Sequence, residues 1–136
     1  MGRTFFDQLR WRGLVHQTTF DDGISGWLEA GSRTVYAGFD PTADSLHVGH
    51  LVPLLTLRRF QQAGHRPIAV VGGATGMIGD PSGKSAERNL LTVEALAANV
   101  AALRRQMGAW LDFDRSPNAA LLVDNADWMR PFSYVD

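Results

Sequence analysis

Tyr36-Ala37-Gly38-Phe39-Asp40-Pro41-Thr42-Ala43-Asp44-Ser45-Leu46-His47-Val48-Gly49-His50 is the stretch whose reading decides the fold. Thr34 to Phe39 is short, apolar and β-prone, and it breaks at Asp40-Pro41. Polar turn residues follow, then two histidines three apart, then a long apolar segment with helical spacing. Pro53 has no N–H and is tolerated only in the first turn of a helix, so the regular helix is expected to begin near Gly49 or His50. His47 and His50 then stand at a helix N-terminus just beyond the carboxyl end of a strand. Unpaired backbone N–H groups and the helix dipole favour an anion there. Ligands of open α/β sheets bind at that same edge.

Outward from this stretch the chain alternates strand and helix. Leu51 to Gln62 is apolar nearly all round, which predicts a helix buried on more than one side, stopped by Gly64. Pro67 to Gly72 is a continuous apolar run of the kind found in strands covered on both faces. A long glycine-rich loop is expected from Gly73 to about Asn89. Thr92 then caps a helix with the apolar face Val93, Leu96, Ala97, Val100, Leu103, Met107 and Leu111. Ala119 to Val123 reads as a third strand. The pattern predicts a parallel β-α-β-α-β unit, half of a Rossmann-like doubly wound α/β sheet. Upstream, Thr4 to Val15 and Ile24 to Ala30 read as short helices, the second capped by Asp21 and Asp22. They form a helical preface, residues 1–32, to a unit spanning residues 33–136.

Composition bounds the function. The 136 residues are 45% hydrophobic and 20% charged, enough for one globular core. Thirteen basic and fourteen acidic residues leave a formal net charge of −1, without the basic excess of a domain built chiefly to hold nucleic acid. The absence of cysteine excludes disulfides and thiolate metal sites. No apolar run has membrane-spanning length, and the N-terminus lacks a signal-peptide core. A soluble, cytoplasmic domain without membrane contact is the expectation.

The His-x-Gly-His element admits three readings: a polar helix cap, a zinc site, or a phosphate-handling site. Zinc needs three or four ligands, and beyond this pair only His16 and His65 remain as imidazoles, neither in a ligand-like spacing; no metal site is expected. In the third reading, imidazole N–H groups and Thr42 hydrogen-bond an anionic transition state. The run Gly72 to Ser85 invites a nucleotide-binding reading as well, yet it fits neither standard fingerprint. Gly79 and Gly83 enclose three residues where the P-loop pattern needs four, and no Gly-x-Gly-x-x-Gly occurs. Lys84 and Arg88, four apart beside glycines, are suited to a polyphosphate, and Asp80 follows glycines that let backbone approach a ligand.

Gly38 to His50, preceded by Tyr36, resembles the ATP-binding signature of class I aminoacyl-tRNA synthetases in the form carried by bacterial tyrosyl-tRNA synthetases. Gly72 to Lys84 is similar to the loop that lies beside the tyrosine and pyrophosphate sites in that family. The resemblance runs from about Thr4 to Trp128 and implies roles for named residues. Tyr36, Thr75 and Asp80 would bind tyrosine, Asp80 pairing with its ammonium group. Gly38, Asp40, Thr42, His47, Gly49 and His50 would face ATP, with His47, His50 and Thr42 acting in catalysis. Lys84 and Arg88 would clamp the departing pyrophosphate. It implies ATP as substrate, Mg²⁺ accompanying it without an identified protein ligand, and tRNA(Tyr) bound through regions mostly absent here. After the third strand the family pattern Asn-Asn-Tyr-Asp-Trp is replaced by Asp124-Asn125-Ala126-Asp127-Trp128, and no role is carried over there.

The leading expectation is therefore the first half of the catalytic domain of a tyrosine–tRNA ligase, homodimeric when complete and nearly inactive as this part alone. A related nucleotidyl-transfer enzyme is argued against by Tyr36 and Asp80. A non-catalytic nucleotide- or tyrosine-binding chain, or one needing a complementary partner, is the alternative. The first strand of such a sheet is central. Its free edge over Thr34 to Phe39, unprotected by charge or proline, is expected to drive self-association of the part alone.

Overall fold

The computed structural model describes residues 2–20, 22–78 and 92–132. Two short helices, α1 (Phe5–Trp11) and α2 (Ile24–Glu29), precede the first strand, β1 (Thr34–Phe39). Then come α3 (Val48–Gln62), β2 (Arg66–Val71), a single turn α4 (Thr75–Ile78), α5 (Val93–Met107), β3 (Leu121–Asp124) and a last turn α6 (Ala126–Met129). The strands form one parallel sheet in the order β1-β2-β3, with Tyr36 opposite Ile68 and Ile68 opposite Leu121. Each crossover carries a long helix, as a parallel pair requires. This is the expected half of a doubly wound sheet, with β1 at its edge.

Both long helices lie on one face. Leu54 and Leu57 of α3 and Leu103 and Met107 of α5 share a core with Phe39 and Ala69, against which Val35, Ala37 and Leu122 pack. Side chains alternate along a strand. Pro67, Ala69 and Val71 are buried under the helices, whereas Ile68 and Val70 on the reverse face are only half-buried. The expectation of two covered faces is corrected for this chain. The apolar run of β2 is real, but among the described residues nothing covers the reverse side. Tyr36 there is 75% exposed and Leu121 39%.

Several boundaries also differ, each for a physical reason. α1 stops at Trp11 because Gly13 adopts φ +68° and the Leu14 N–H turns back to the Leu9 carbonyl. Asp22 does not cap α2: Gly23 is its N-cap, without a side-chain hydrogen bond, and Asp21 lies outside the described residues. α3 begins at Val48, so Pro53 sits in its second turn and cannot donate to the Gly49 carbonyl four residues back. Its surface is not apolar-buried all round, since Val48 and Val52 are exposed. On α5 the Thr92 cap is present, its Oγ1 accepting the Ala95 N–H at 3.2 Å, but Val93 and Ala97 face out and Ala102 is buried instead. The loop expected from Gly73 opens with the α4 turn. β3 starts two residues later than predicted, after Ala119 and Ala120.

The preface docks on the far end of α3. Phe6, Leu9 and Leu28 form a second cluster, with Phe60 of α3 packed against it. Asp7 and Thr4 cap α1 reciprocally, and Glu29 Oε1 accepts the Phe5 N–H at 2.8 Å. At this seam His65 is 3% exposed, its ring 5.4 Å from Phe5 and 5.6 Å from Phe60. Its Nδ1 accepts the Arg33 N–H at 3.2 Å, which only a neutral imidazole can do. Burial lowers its pKa, Glu29 opposes that shift and Arg33 adds to it. A depressed folded value means the unfolded chain binds the proton first. The stabilisation is thus complete above the unfolded value near ~6.5 and is lost as pH falls through the folded one. Denaturant titrations between pH 7.5 and 5 are expected to show falling stability, with a shallower slope in His65→Gln. A flat profile, or one that rises on acidification, would contradict this.

Candidate active site

The carboxyl ends of β1 and β2 meet the start of α3 and the α4 turn. His47 is the N-cap of α3, with extended backbone, and its Nδ1 accepts the Gly49 N–H at 3.1 Å. The His47 N–H in turn donates to His50 Nδ1 at 3.4 Å. Each side chain thus satisfies a backbone donor at the helix start, a reciprocal cap built from imidazoles rather than from a hydroxyl and a carboxylate. The rings stack 3.7 Å apart at 22°, and His50 meets the Phe39 ring edge-on at 6.0 Å.

The cap decides the chemistry. An imidazole that accepts at Nδ1 carries its hydrogen on Nε2 when neutral. Burial lowers the His50 pKa, the neighbouring His47 lowers it further, and Asp40 pulls the other way. His50 is therefore neutral near pH 7, with its Nε2–H available as a donor. Among the described residues no protein acceptor meets either Nε2. Two N–H donors at the positive end of a fifteen-residue helix are arranged for an anion.

Of the residues singled out in the sequence, several come together here. A Cβ on Gly72 would stand 2.6 Å from Thr75 Oγ1 and 3.2 Å from Asp40 Oδ1, so Asp40 and Thr75 flank that glycine. Gly49 lies under the His47 ring, where a Cβ would come within 2.9 Å of Cε1. Gly38 is different: a Cβ there meets nothing within 4 Å, and its φ is not positive. Neither packing nor backbone geometry requires a glycine at the end of β1, and the space it leaves is open. Thr42 is exposed in the bend before α3, and Tyr36 stands on the open face of the sheet, one strand repeat before Gly38. Asp80, Lys84 and Arg88 lie outside the described residues. Among the described residues no three His, Cys, Asp or Glu side chains converge as metal ligands would.

Asp124 and Asn125, which the sequence showed as part of a departure from the family pattern and left without a role, are given a task by the structure. Asp124 Oδ1 accepts the N–H groups of Gly73 and Ala126, each at 2.9 Å. Asn125 Oδ1 accepts the Ala74 N–H at 2.7 Å, and its Nδ2 donates to Thr75 Oγ1 at 3.0 Å. These bonds hold the β2–α4 turn and orient the Thr75 hydroxyl. Gly73 has no room for a side chain because the Asp124 carboxylate fills that place. The only signal in the sequence was an Asp-Asn pair directly after an apolar strand.

A parallel α/β half-sheet with an imidazole pair at its carboxyl edge defines a Rossmann-like unit. The family model described as tRNA synthetases class I (W and Y) matches residues 29–136, and the chain belongs to that family. It is 56% identical over 133 residues to a tyrosine–tRNA ligase of Opitutus terrae, covering 98% of this chain and 31% of that protein. A tyrosine–tRNA ligase of Geobacillus stearothermophilus is 56% identical over 128 residues, 94% of this chain and 30% of its own length. Among solved structures, a C-terminally truncated mitochondrial tyrosyl-tRNA synthetase of Aspergillus nidulans superposes with a TM-score of 0.80 at 27% identity, covering 98% of this chain and 41% of the other. The chain thus spans about a third of the length of the curated relatives it matches.

Replacing Asp124 by Ala leaves the Gly73 and Ala126 N–H groups without acceptors, a loss of about 1–3 kcal/mol. Asp124→Asn keeps Oδ1 and is expected to recover most of it. Equal destabilisation by both variants in chemical unfolding would show that the carboxylate charge, not the two accepted bonds, is what matters.

Proposed function

We propose that this chain is the part of a tyrosine–tRNA ligase that binds ATP and contributes to the activation of tyrosine. The observation that carries the reading is the imidazole pair at the start of α3, whose Nε2–H groups are left over after capping the helix. A tyrosine carboxylate oxygen attacks the α-phosphorus of ATP; the new P–O bond forms as the bond to the bridging β-oxygen breaks, and pyrophosphate leaves. Transfer of the tyrosyl group to the tRNA(Tyr) 3′ end then releases AMP. No covalent nucleophile from the protein is needed, and placement plus stabilisation of charge supply the rate.

In this proposal His47, His50 and Thr42 donate to the phosphate oxygens as charge grows on them. Gly38, Asp40 and Gly49 accommodate the nucleotide. Tyr36, Thr75 and Asp80 receive tyrosine, and Lys84 and Arg88 receive the pyrophosphate. Mg²⁺ is expected to arrive with ATP, held by its phosphates. Dimerisation, tRNA(Tyr) binding and a cytoplasmic location complete the proposal. Consistent with it, no described helix is long and apolar enough to cross a membrane.

A second reading, a chain that works only with a complementary partner, is favoured by one observation. Tyr36, Ile68 and Leu121 line up in register across a sheet face that nothing covers among the described residues, and the outer side of β1 has no strand partner among them. Apolar burial is worth ~25 cal/mol per Å². Without a partner the chain is expected to self-associate, read as rising sedimentation coefficients with concentration; a monomer throughout would count against this reading.

Pyrophosphate exchange into ATP, with tyrosine present or omitted, tests the main proposal. In the full-length ligase that carries this sequence, exchange is expected only with tyrosine. His50→Asn is expected to slow it about 10²-fold, the scale of one lost charge-stabilising donor, while tyrosine affinity stays nearly unchanged. A fall in affinity matching the fall in rate would contradict the phosphate assignment.

A further inference from the structure

The histidine pair is carried by a loop that does little to hold itself. Between Pro41 and His47 the described bonds within the loop amount to Ser45 Oγ donating to the Leu46 carbonyl at 3.2 Å. The other bonds come from α5. The Gln106 Nε2 donates to the Asp44 carbonyl at 2.8 Å, and its Oε1 accepts the Leu46 N–H at 3.0 Å. Two turns earlier on the same helix, Asn99 Nδ2 donates to the Pro41 carbonyl at 3.0 Å.

We infer that Gln106 is a positioning residue for the histidine pair, its amide clasping the backbone on both sides of Ser45 so that His47 leaves Leu46 in the extended conformation that caps α3. The inference rests on the reading of His47 and His50 as donors to phosphate. A planar amide that donates to one peptide and accepts from another fixes their spacing and rotation together, as a strand partner does. The clasp is rigid because its base is rigid: Leu103 and Met107, on either side of Gln106 along α5, are 0% exposed. Leu46 is drawn in too, packing against the same core cluster. The next residue is the N-cap, and a shift of its backbone moves both imidazoles, since His50 Nδ1 accepts the His47 N–H and the His47 ring, carried by that same residue, accepts the Gly49 N–H. A small displacement of donors costs far more in a transition state than in folding.

The test separates the clasp from the function. Long-range proton–nitrogen NMR on this chain reads the imidazole tautomers, with His65, bound elsewhere to the Arg33 N–H, as the internal control. In the unaltered chain His47 and His50 are expected as fixed Nε2–H tautomers. In Gln106→Ala both are expected to average between tautomers while His65 is unchanged. Gln106→Glu keeps the acceptor for Leu46 and loses the donor to Asp44, and is expected to fall between. If Gln106→Ala does not fold, Asn99→Ala is expected to give the same change in smaller measure through Pro41. In the full-length ligase that carries this sequence, Gln106→Ala is expected to lower the rate of adenylate formation about tenfold with KM for tyrosine unchanged within about twofold. Imidazole signals in Gln106→Ala and Asn99→Ala identical to those of the unaltered chain would overturn the inference. Signals that average while the rate holds would support the clasp and overturn the phosphate role of the histidines instead.

Discussion

Two hydrogen bonds, Gly49 N–H to His47 and His47 N–H to His50, organise the carboxyl edge of this sheet. They use the Nδ1 of each ring to finish the helix, which leaves each Nε2 as the donor. The same bonds explain why Gly49 has no side chain, since the His47 ring occupies that space. They also explain why an acid is not needed in the first turn of α3, where none occurs. A helix start that could be capped by a carboxylate is capped here by imidazoles that bring no negative charge, so its positive end stays available to an outside anion.

The rest of the framework exists to bring that edge together. Parallel pairing of β1, β2 and β3 sets all three strand ends on one side, and the shared core of α3 and α5 keeps the two helices on one face. α5 then reaches across to the histidine loop through Gln106 and Asn99, while Asp124 and Asn125 close the neighbouring turn. A groove of about 530 Å³, lined by Arg58, Trp110, Asp112 and Arg115, lies at the opposite, amino edge of the sheet. Two of its polar side chains are already engaged. Asp112 accepts the Arg115 and Asp114 N–H groups, which hold its carboxyl below the usual range, and the Arg58 guanidinium donates to the Trp110 carbonyl.

The strands were legible because their signal is local. Thr34–Phe39 matches its predicted bounds, set by an apolar run closed with Asp-Pro. The start of α3 was misplaced because proline preference describes an average helix, and this one tolerates Pro53 in its second turn. Burial of α3 was overestimated because periodicity records which residues are apolar, not whether a second layer is there to cover them; Val52 is exposed. Gln106, Asp124 and Asn125 left almost no trace of these contacts, because a side chain bonding to backbone 51 to 62 residues away has no characteristic spacing. The roles of Tyr36, Thr75 and Asp80 came from resemblance alone; of these, Thr75 is joined to the described network, through Asn125.

The central claim is that the leftover imidazole donors receive the phosphates of ATP. The chain has four histidines, of which His47 and His50 sit at the proposed site, His16 is exposed elsewhere and His65 is buried at the preface seam. Titrating ATP into the nitrogen-15-labelled chain and following the four imidazoles reads the claim directly. Saturable shifts of the His47 and His50 Nε2 signals, with His16 and His65 still, are the predicted result. Four imidazoles that all stay unmoved at saturating nucleotide, or that all drift alike with ionic strength, would contradict it.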